Sequence, residues 1–276
     1  MTTVRDIIEY LEFLAPLRLG EEYCKKYGGH DNSGLLIGDI DKPLGRVLLA
    51  LDLTSDVIEE AIEKGAGLII THHPLIWNGI KNILDTDVLG GNIIKLIQNG
   101  IAVYAFHLNL DISDFGPSQI LADLLQLENI RETEPVTDSS GMGRIGRLLP
   151  STALGQIAEE LKSVLEYGGV RVCGDPDMII SEIAILGGAG GSEAAYIDKL
   201  ADLGVNLYIT SEVKHHVALY AKELGIAVID GGHYATEFPA ITFLTEHLNG
   251  HFKTHREPPF FEVAERGKNP FENRAE

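Results

Sequence analysis

Apolar residues along the chain fall in short unbroken runs, separated by stretches in which they recur every three or four positions. Val47 to Leu51 (VLLAL) is such a run, the pattern of a strand buried on both faces. Over Ser55 to Lys64 the apolar positions Val57, Ile58, Ala61 and Ile62 form one helical stripe, and Gly65 is placed to end that helix. Leu68 to Ile70 reads as a second strand, the stretch around Ile93 to Gln98 as a helix, and Ile101 to Phe106 as a third strand. Strand, helix, strand at this rhythm predicts an α/β fold with a largely parallel sheet.

The second half repeats the phrase. Ile183 to Leu186 predicts a strand, Glu193 to Leu203 a helix and Leu207 to Ile209 a strand. An offset of 139 residues (204 − 65) carries Gly65 onto Gly204 and Thr71 onto Thr210, and Ile101-Ala102-Val103 finds a counterpart in Ile226-Ala227-Val228, each after a glycine. We expect two similar α/β lobes with largely parallel sheets, related by duplication. Residues 1–127 with 232–276 are assigned to the first lobe and 128–231 to the second. The polar, turn-rich stretch from Glu128 to Gly146 is expected as the crossover between them. The tail beyond Arg256, with Pro258, Pro259, Gly267 and Pro270, is expected to be extended, with one strand-like patch at Phe260 to Val263.

Composition narrows the partners. With 22 lysines and arginines against 41 aspartates and glutamates, the formal net charge is −19, a field that repels phosphate backbones and anionic membranes. Nucleic acid is therefore not an expected partner. Cys24 and Cys173 form no metal or redox spacing. Asp6, Glu9 and Glu12 interrupt the first turns as no secretory signal does, and no apolar run approaches the ~20 residues that span a bilayer. These features predict a cytoplasmic protein without membrane association.

The chemistry gathers where the predicted strands end. His72 and His73 follow a buried strand, and Pro74 bars immediate entry into a helix. Ligands of open α/β sheets collect at the carboxyl ends of strands, and adjacent residues of extended chain point opposite ways, so the pair suits two neighbouring metals. After the next strand comes His107-Leu108-Asn109-Leu110-Asp111; after the matching strand of the second half comes His233-Tyr234-Ala235-Thr236-Glu237. Four residues apart on a helix, imidazole and carboxylate share a face. Nitrogen and oxygen donors of this kind suit zinc, iron or manganese, and carboxylates bridge metals ~3.5–4 Å apart.

Thr71-His72-His73-Pro74-Leu75, the His107 to Asp111 motif and Gly232-His233-Tyr234-Ala235-Thr236-Glu237 together resemble the Nif-three-like dinuclear-metal family, whose members often go under the name GTP cyclohydrolase I type 2. Asp31-Asn32-Ser33-Gly34-Leu35 and Ile209-Thr210-Ser211-Glu212-Val213 resemble two further motifs of that family, so the likeness runs from about Asp31 to His247. It implies a dinuclear metal site in the cleft between the lobes. His72 and His73 would bind one metal each, Asp111 would bind a metal, His233 would complete the site of His72, and Glu237 would bridge both. His107 matches a histidine lining the site, as weak ligand or proton-transfer group; we assign it the catalytic role. A homohexameric ring is implied as well. Leu108 stands where the family usually has threonine, and His30 where it often has an aromatic.

The function expected from these readings is a hydrolase with two divalent transition-metal ions per chain, GTP cyclohydrolase-like as the resemblance implies or acting on another nucleotide or phosphoester, through a metal-activated hydroxide. The alternative is a non-catalytic metal-binding scaffold or regulator assembled as a ring. Three features stay open at this level. Gly187 to Ser192 (GGAGGS) is either a phosphate cradle or a tight packing turn. His215 and His216 either line the site or sit on a surface helix. Trp77, the only tryptophan, either stacks on a purine or fills core or interface.

Overall fold

The computed structural model describes residues 1–165 and 169–272. The chain divides into two compact units, one of Met1–Ile112 with Ile241–Lys268, the other of Ser113–Ala240 with the chain from Asn269 on.

In the first unit, α1 (Val4–Leu14) starts on a capping box in which the Asp6 backbone N–H donates to Thr3 Oγ1 and the Thr3 N–H donates to Asp6. α2 (Arg18–Tyr27), β1 (Gly34–Ile37) and β2 (Arg46–Ala50) follow, then α3 (Ser55–Lys64), β3 (Leu68–Thr71), α4 (Val88–Gln98), β4 (Ala102–Ala105) and the short α5 (Leu108–Ile112). α3 spans the residues its stripe predicts. Thr54 caps its first turn, and Gly65 ends it at φ 68°, a left-handed conformation that costs glycine little. β2, β3 and β4 are parallel neighbours, β1 lies antiparallel on β4, and Phe260–Val263 adds a parallel strand on β2. Leu48, Val57, Ile58, Ala61, Ile69, Leu96 and Val103 form one buried cluster between sheet and helices. The strand-like patch of the tail is thus part of a sheet, while the last four positions of the tail lie outside the described residues.

The second unit holds α6 (Pro117–Leu124), β5 (Glu128–Pro135), β6 (Gly141–Ala153), α7 (Leu154–Val164), β7 (Arg171–Cys173), β8 (Ile179–Ile185), α8 (Ala194–Asp202), β9 (Leu207–Thr210), α9 (His215–Glu223), β10 (Ala227–Asp230) and the first turns of α10 (His233–Phe252). Its sheet runs β5-β6-β8-β9-β10-β7, with β8, β9 and β10 parallel and the flanking strands antiparallel. The succession β2-α3-β3-α4-β4 therefore recurs as β8-α8-β9-α9-β10. Each copy carries an antiparallel strand on the far side of its last member, β1 on β4 and β7 on β10. Gly65 and Gly204 take the same left-handed turn after the first helix, and Gly100 and Gly225 take it after the second. The fold is α/β, with two sheets built on one plan.

The stretch from Glu128 to Gly146 is not a crossover. It forms the β5–β6 hairpin, paired through Arg131↔Ile145 and Glu134↔Met142 and continued onto β8. Its polarity hid the strands because polar side chains fill part of its buried face. Thr133 is buried and donates to the Met142 carbonyl at 2.7 Å. Arg144, 1% exposed, donates to the carbonyls of Gly141, Gly143 and Ser113 and to Gln119 Oε1. A buried guanidinium saturated in this way meets the requirement that buried charge be fully hydrogen-bonded.

Candidate metal centre

Four imidazoles share one construction, three of them in the first unit. His72, fully buried at the end of β3, places Nδ1 3.0 Å from the Phe106 carbonyl. A carbonyl only accepts, so Nδ1 carries the hydrogen and Nε2 of the neutral ring presents its lone pair. Asp111 Oδ1 lies 3.5 Å from that Nε2. His73 donates Nδ1–H to Asp52 Oδ1 at 2.7 Å, and His107 to Asp31 Oδ1 at 2.9 Å. Burial pushes the Asp31 carboxyl up, yet hydrogen bonds from His107 and Ser33 more than offset this and hold it below the usual carboxylate range. His72, His73 and His107 thereby bring one ligand atom each to within 4.8 Å of one another. An imidazole whose second nitrogen is held by a carbonyl or carboxylate is the usual form of a metal-binding histidine.

Backbone geometry fixes these rings. Thr71 Oγ1 donates to the His73 carbonyl, which turns the chain where β3 ends. The His107 N–H donates to Ser33 Oγ, and the Asp111 N–H to the His107 carbonyl, so the His-x-x-x-Asp spacing does occupy one helical turn.

In the second unit, His233 opens α10. Its Nδ1 lies 2.8 Å from Glu212 Oε1, and its Nε2 lies 3.1 Å from Glu237 Oε2, one turn further on. Glu237 is 5% exposed. Glu212 stands at φ 54°, a strained backbone for a side chain this size. The glycine loop explains its own composition. A Cβ on Gly188 would come within 2.0 Å of Glu237 Oε1, and one on Gly187 within 3.0 Å of Pro117 Cβ. The Gly187 and Gly188 N–H groups donate to Ser118 Oγ and Thr236 Oγ1, and those of Gly190 and Gly191 to the Gly188 and Ser211 carbonyls. These four donors are engaged within the loop's own surroundings, and the loop packs against Glu237.

Imidazole nitrogens and carboxylate oxygens of this kind suit zinc, iron or manganese. The profile of the family described as Duf34/NIF3 (NGG1p interacting factor 3) matches residues 2–268. The chain belongs to the Duf34/NIF3 family. It is 35% identical to a protein of Clostridium perfringens named "GTP cyclohydrolase 1 type 2 homolog", over 98% of each chain. A protein of the same name from Methanocaldococcus jannaschii is 33% identical over 89% of this chain and 94% of its own. Among solved structures, a Bacillus cereus protein related to NIF3 superposes with a TM-score of 0.87 at 26% identity, over 99% of both chains.

Three residues of this Duf34/NIF3 chain were not assigned a role from sequence: Asp52, Asp31 and Glu212, the carboxylates behind the imidazoles. His215 and His216 open α9 as exposed residues. The Trp77 ring stands at 87° to that of His107, with centroids 5.0 Å apart, and remains 42% exposed. Among the described residues, no helix is long and apolar enough to cross a membrane.

Proposed function

We propose that this Duf34/NIF3 protein is a dinuclear-metal-dependent hydrolase. In this reading His72, His73, Asp111 and His233 would hold two divalent transition-metal ions, with Glu237 as the ligand shared between them. The observation that carries it is the shared construction of the imidazoles, each with Nδ1 hydrogen-bonded to an oxygen, so that the lone pair of the neutral ring sits on Nε2. When bound, such ions lower the pKa of a water towards ~7 and so supply a nucleophile at neutral pH. Asp52 and Glu212 keep His73 and His233 in the ligating tautomer. His107, oriented by Asp31, moves a proton at Nε2. The names of the relatives favour a nucleotide substrate and cyclohydrolase-like chemistry; another phosphoester suits the same residues. A cytoplasmic, homohexameric ring completes the reading, and light scattering that returns about the 30.1 kDa of one chain at micromolar concentration would remove that part.

The test is Glu237→Gln. An amide offers one neutral acceptor where the carboxylate offers two anionic ones, so the variant loses at least one metal and any hydrolysis, with an unchanged circular dichroism spectrum. His251→Gln, outside every strand-end motif, keeps its full metal content. Full occupancy in the Glu237 variant by elemental analysis refutes the bridging role. Full metal with no turnover on any nucleotide, in the unaltered protein, leaves a metal-binding scaffold instead.

A further inference from the structure

The segment between α2 and β1 ties two things together that the proposed chemistry does not by itself require. Side chains of extended backbone alternate in direction. His30 Nε2 donates to the Trp77 carbonyl at 2.8 Å, and Asn32 Nδ2 donates to the Ile76 carbonyl at 2.5 Å. Between them Asp31 turns the other way and holds His107 Nδ1. One three-residue stretch therefore fixes both the backbone carrying Trp77 and the imidazole that Trp77 touches. The indole meets His107 at 87° and 5.0 Å and lies 6.3 Å from His73. It stays 42% exposed although an indole gains strongly from burial. A part-exposed indole at a set distance from the imidazoles offers apolar surface that a ligand can cover.

We infer that Trp77 is a stacking platform for a planar heteroaromatic ring in the substrate, with His30 and Asn32 as its positioning residues. The inference rests on the hydrolase reading and names its substrate class: a molecule whose reacting group is offered to the metal-binding imidazoles by a flat π-system, not by a sugar or a phosphate alone. Stacking of a base on an aromatic side chain is worth ~1–3 kcal/mol, or about 5- to 150-fold in affinity.

The chain has one tryptophan, so its fluorescence reports on this ring alone. The zinc-loaded protein is titrated with guanosine 5′-monophosphate and, separately, with ribose 5-phosphate. The expected result is saturable quenching and a shifted emission with the nucleotide, and at least 5-fold weaker binding of the sugar phosphate by calorimetry. Trp77→Leu and the His30→Ala/Asn32→Ala pair are expected to weaken nucleotide binding at least 5-fold while metal content and far-ultraviolet circular dichroism stay unchanged. Equal affinity for the two probes, or wild-type nucleotide affinity in Trp77→Leu, overturns the platform. So does an emission that ignores both probes and shifts only on dilution of the protein, the signature of a subunit contact. Elemental analysis separates the two failures: a protein that takes up no metal has lost the hydrolase reading, whereas one that binds two ions without ring preference has lost only the platform.

Discussion

Asp52→Ala removes the acceptor behind His73 and leaves the imidazole itself in place. With the carboxylate gone, His73 loses the bond that keeps hydrogen on Nδ1, so the ring samples both tautomers and rotates more freely. Loss of such a partner typically costs 10- to 100-fold in metal affinity. The position within that range follows from exposure. The Asp52 side chain is 47% exposed, so water replaces the missing oxygen and the cost falls at the lower end, about 10-fold or ~1.4 kcal/mol. Asp52→Asn keeps an acceptor oxygen and loses only charge assistance; a few-fold loss is expected. The measurement is zinc affinity by competition with a chelator of known strength. Removing any acid from a chain of net charge −19 weakens cation binding slightly, and Asp41→Ala measures that background, because Asp41 is exposed and pairs with Arg5. Affinity of Asp52→Ala within twofold of Asp41→Ala would refute the orienting role.

Two further outcomes follow from the same contacts. Glu60, 3% exposed, accepts from Lys64 Nζ and from the Glu265 and Arg266 N–H groups, and so fastens the C-terminal segment to α3. Burial raises its carboxyl pKa, but the Lys64 and backbone hydrogen bonds outweigh that and hold it below the ordinary value, so its stabilisation is full above the unfolded pKa and is lost as pH falls through the folded one. Urea unfolding should show Glu60→Gln about 1–3 kcal/mol less stable at pH 7, with the gap closing towards pH 3; a gap independent of pH would contradict the assignment. Gly188→Ala drives a methyl into Glu237 Oε1 at φ 71° and should reduce metal content with modest loss of stability. Full metal in a folded Gly188→Ala protein, by elemental analysis, would show that Glu237 need not hold its position for binding.

The parallel cores were legible because β2, β3, β9 and β10 are buried on both faces and read as unbroken apolar runs. Helix α3 was legible to the residue, since stripe, cap and glycine agree. The β5–β6 hairpin was not, because Arg144 and Thr133 serve as its buried filling and look like surface residues in a list of letters. The imidazoles stood out by their strand-end positions. Their supporting acids did not, since Asp31 lies 76 residues before His107, and only folding shows that the two meet.

Two of those acids do leave a trace. Asp52 and Glu212 each precede the histidine they support by 21 residues, which is the length of one helix and one strand. In the first unit Ala50 is in register with Thr71 on parallel neighbours, and Asp52 and His73 lie two residues beyond that pair. In the second, Thr210 is in register with Asp230, and Glu212 and His233 lie two and three residues beyond. Acid at the end of one strand and imidazole at the end of the next is therefore a product of the parallel sheet, not of local sequence. The second unit shifts it by one strand. At the 139-residue offset His73 falls on Glu212, so the second unit puts its acid where the first puts an imidazole. Extending the Ile185↔Ile209 register by one step sets Leu186 beside Thr210, and Gly188 then takes the place of Asp52. That glycine lacks the side chain whose first carbon would collide with Glu237. One copy of the plan keeps an acid at this strand end to hold an imidazole; the other clears it, and the carboxylate of Glu237, arriving from α10, occupies the space.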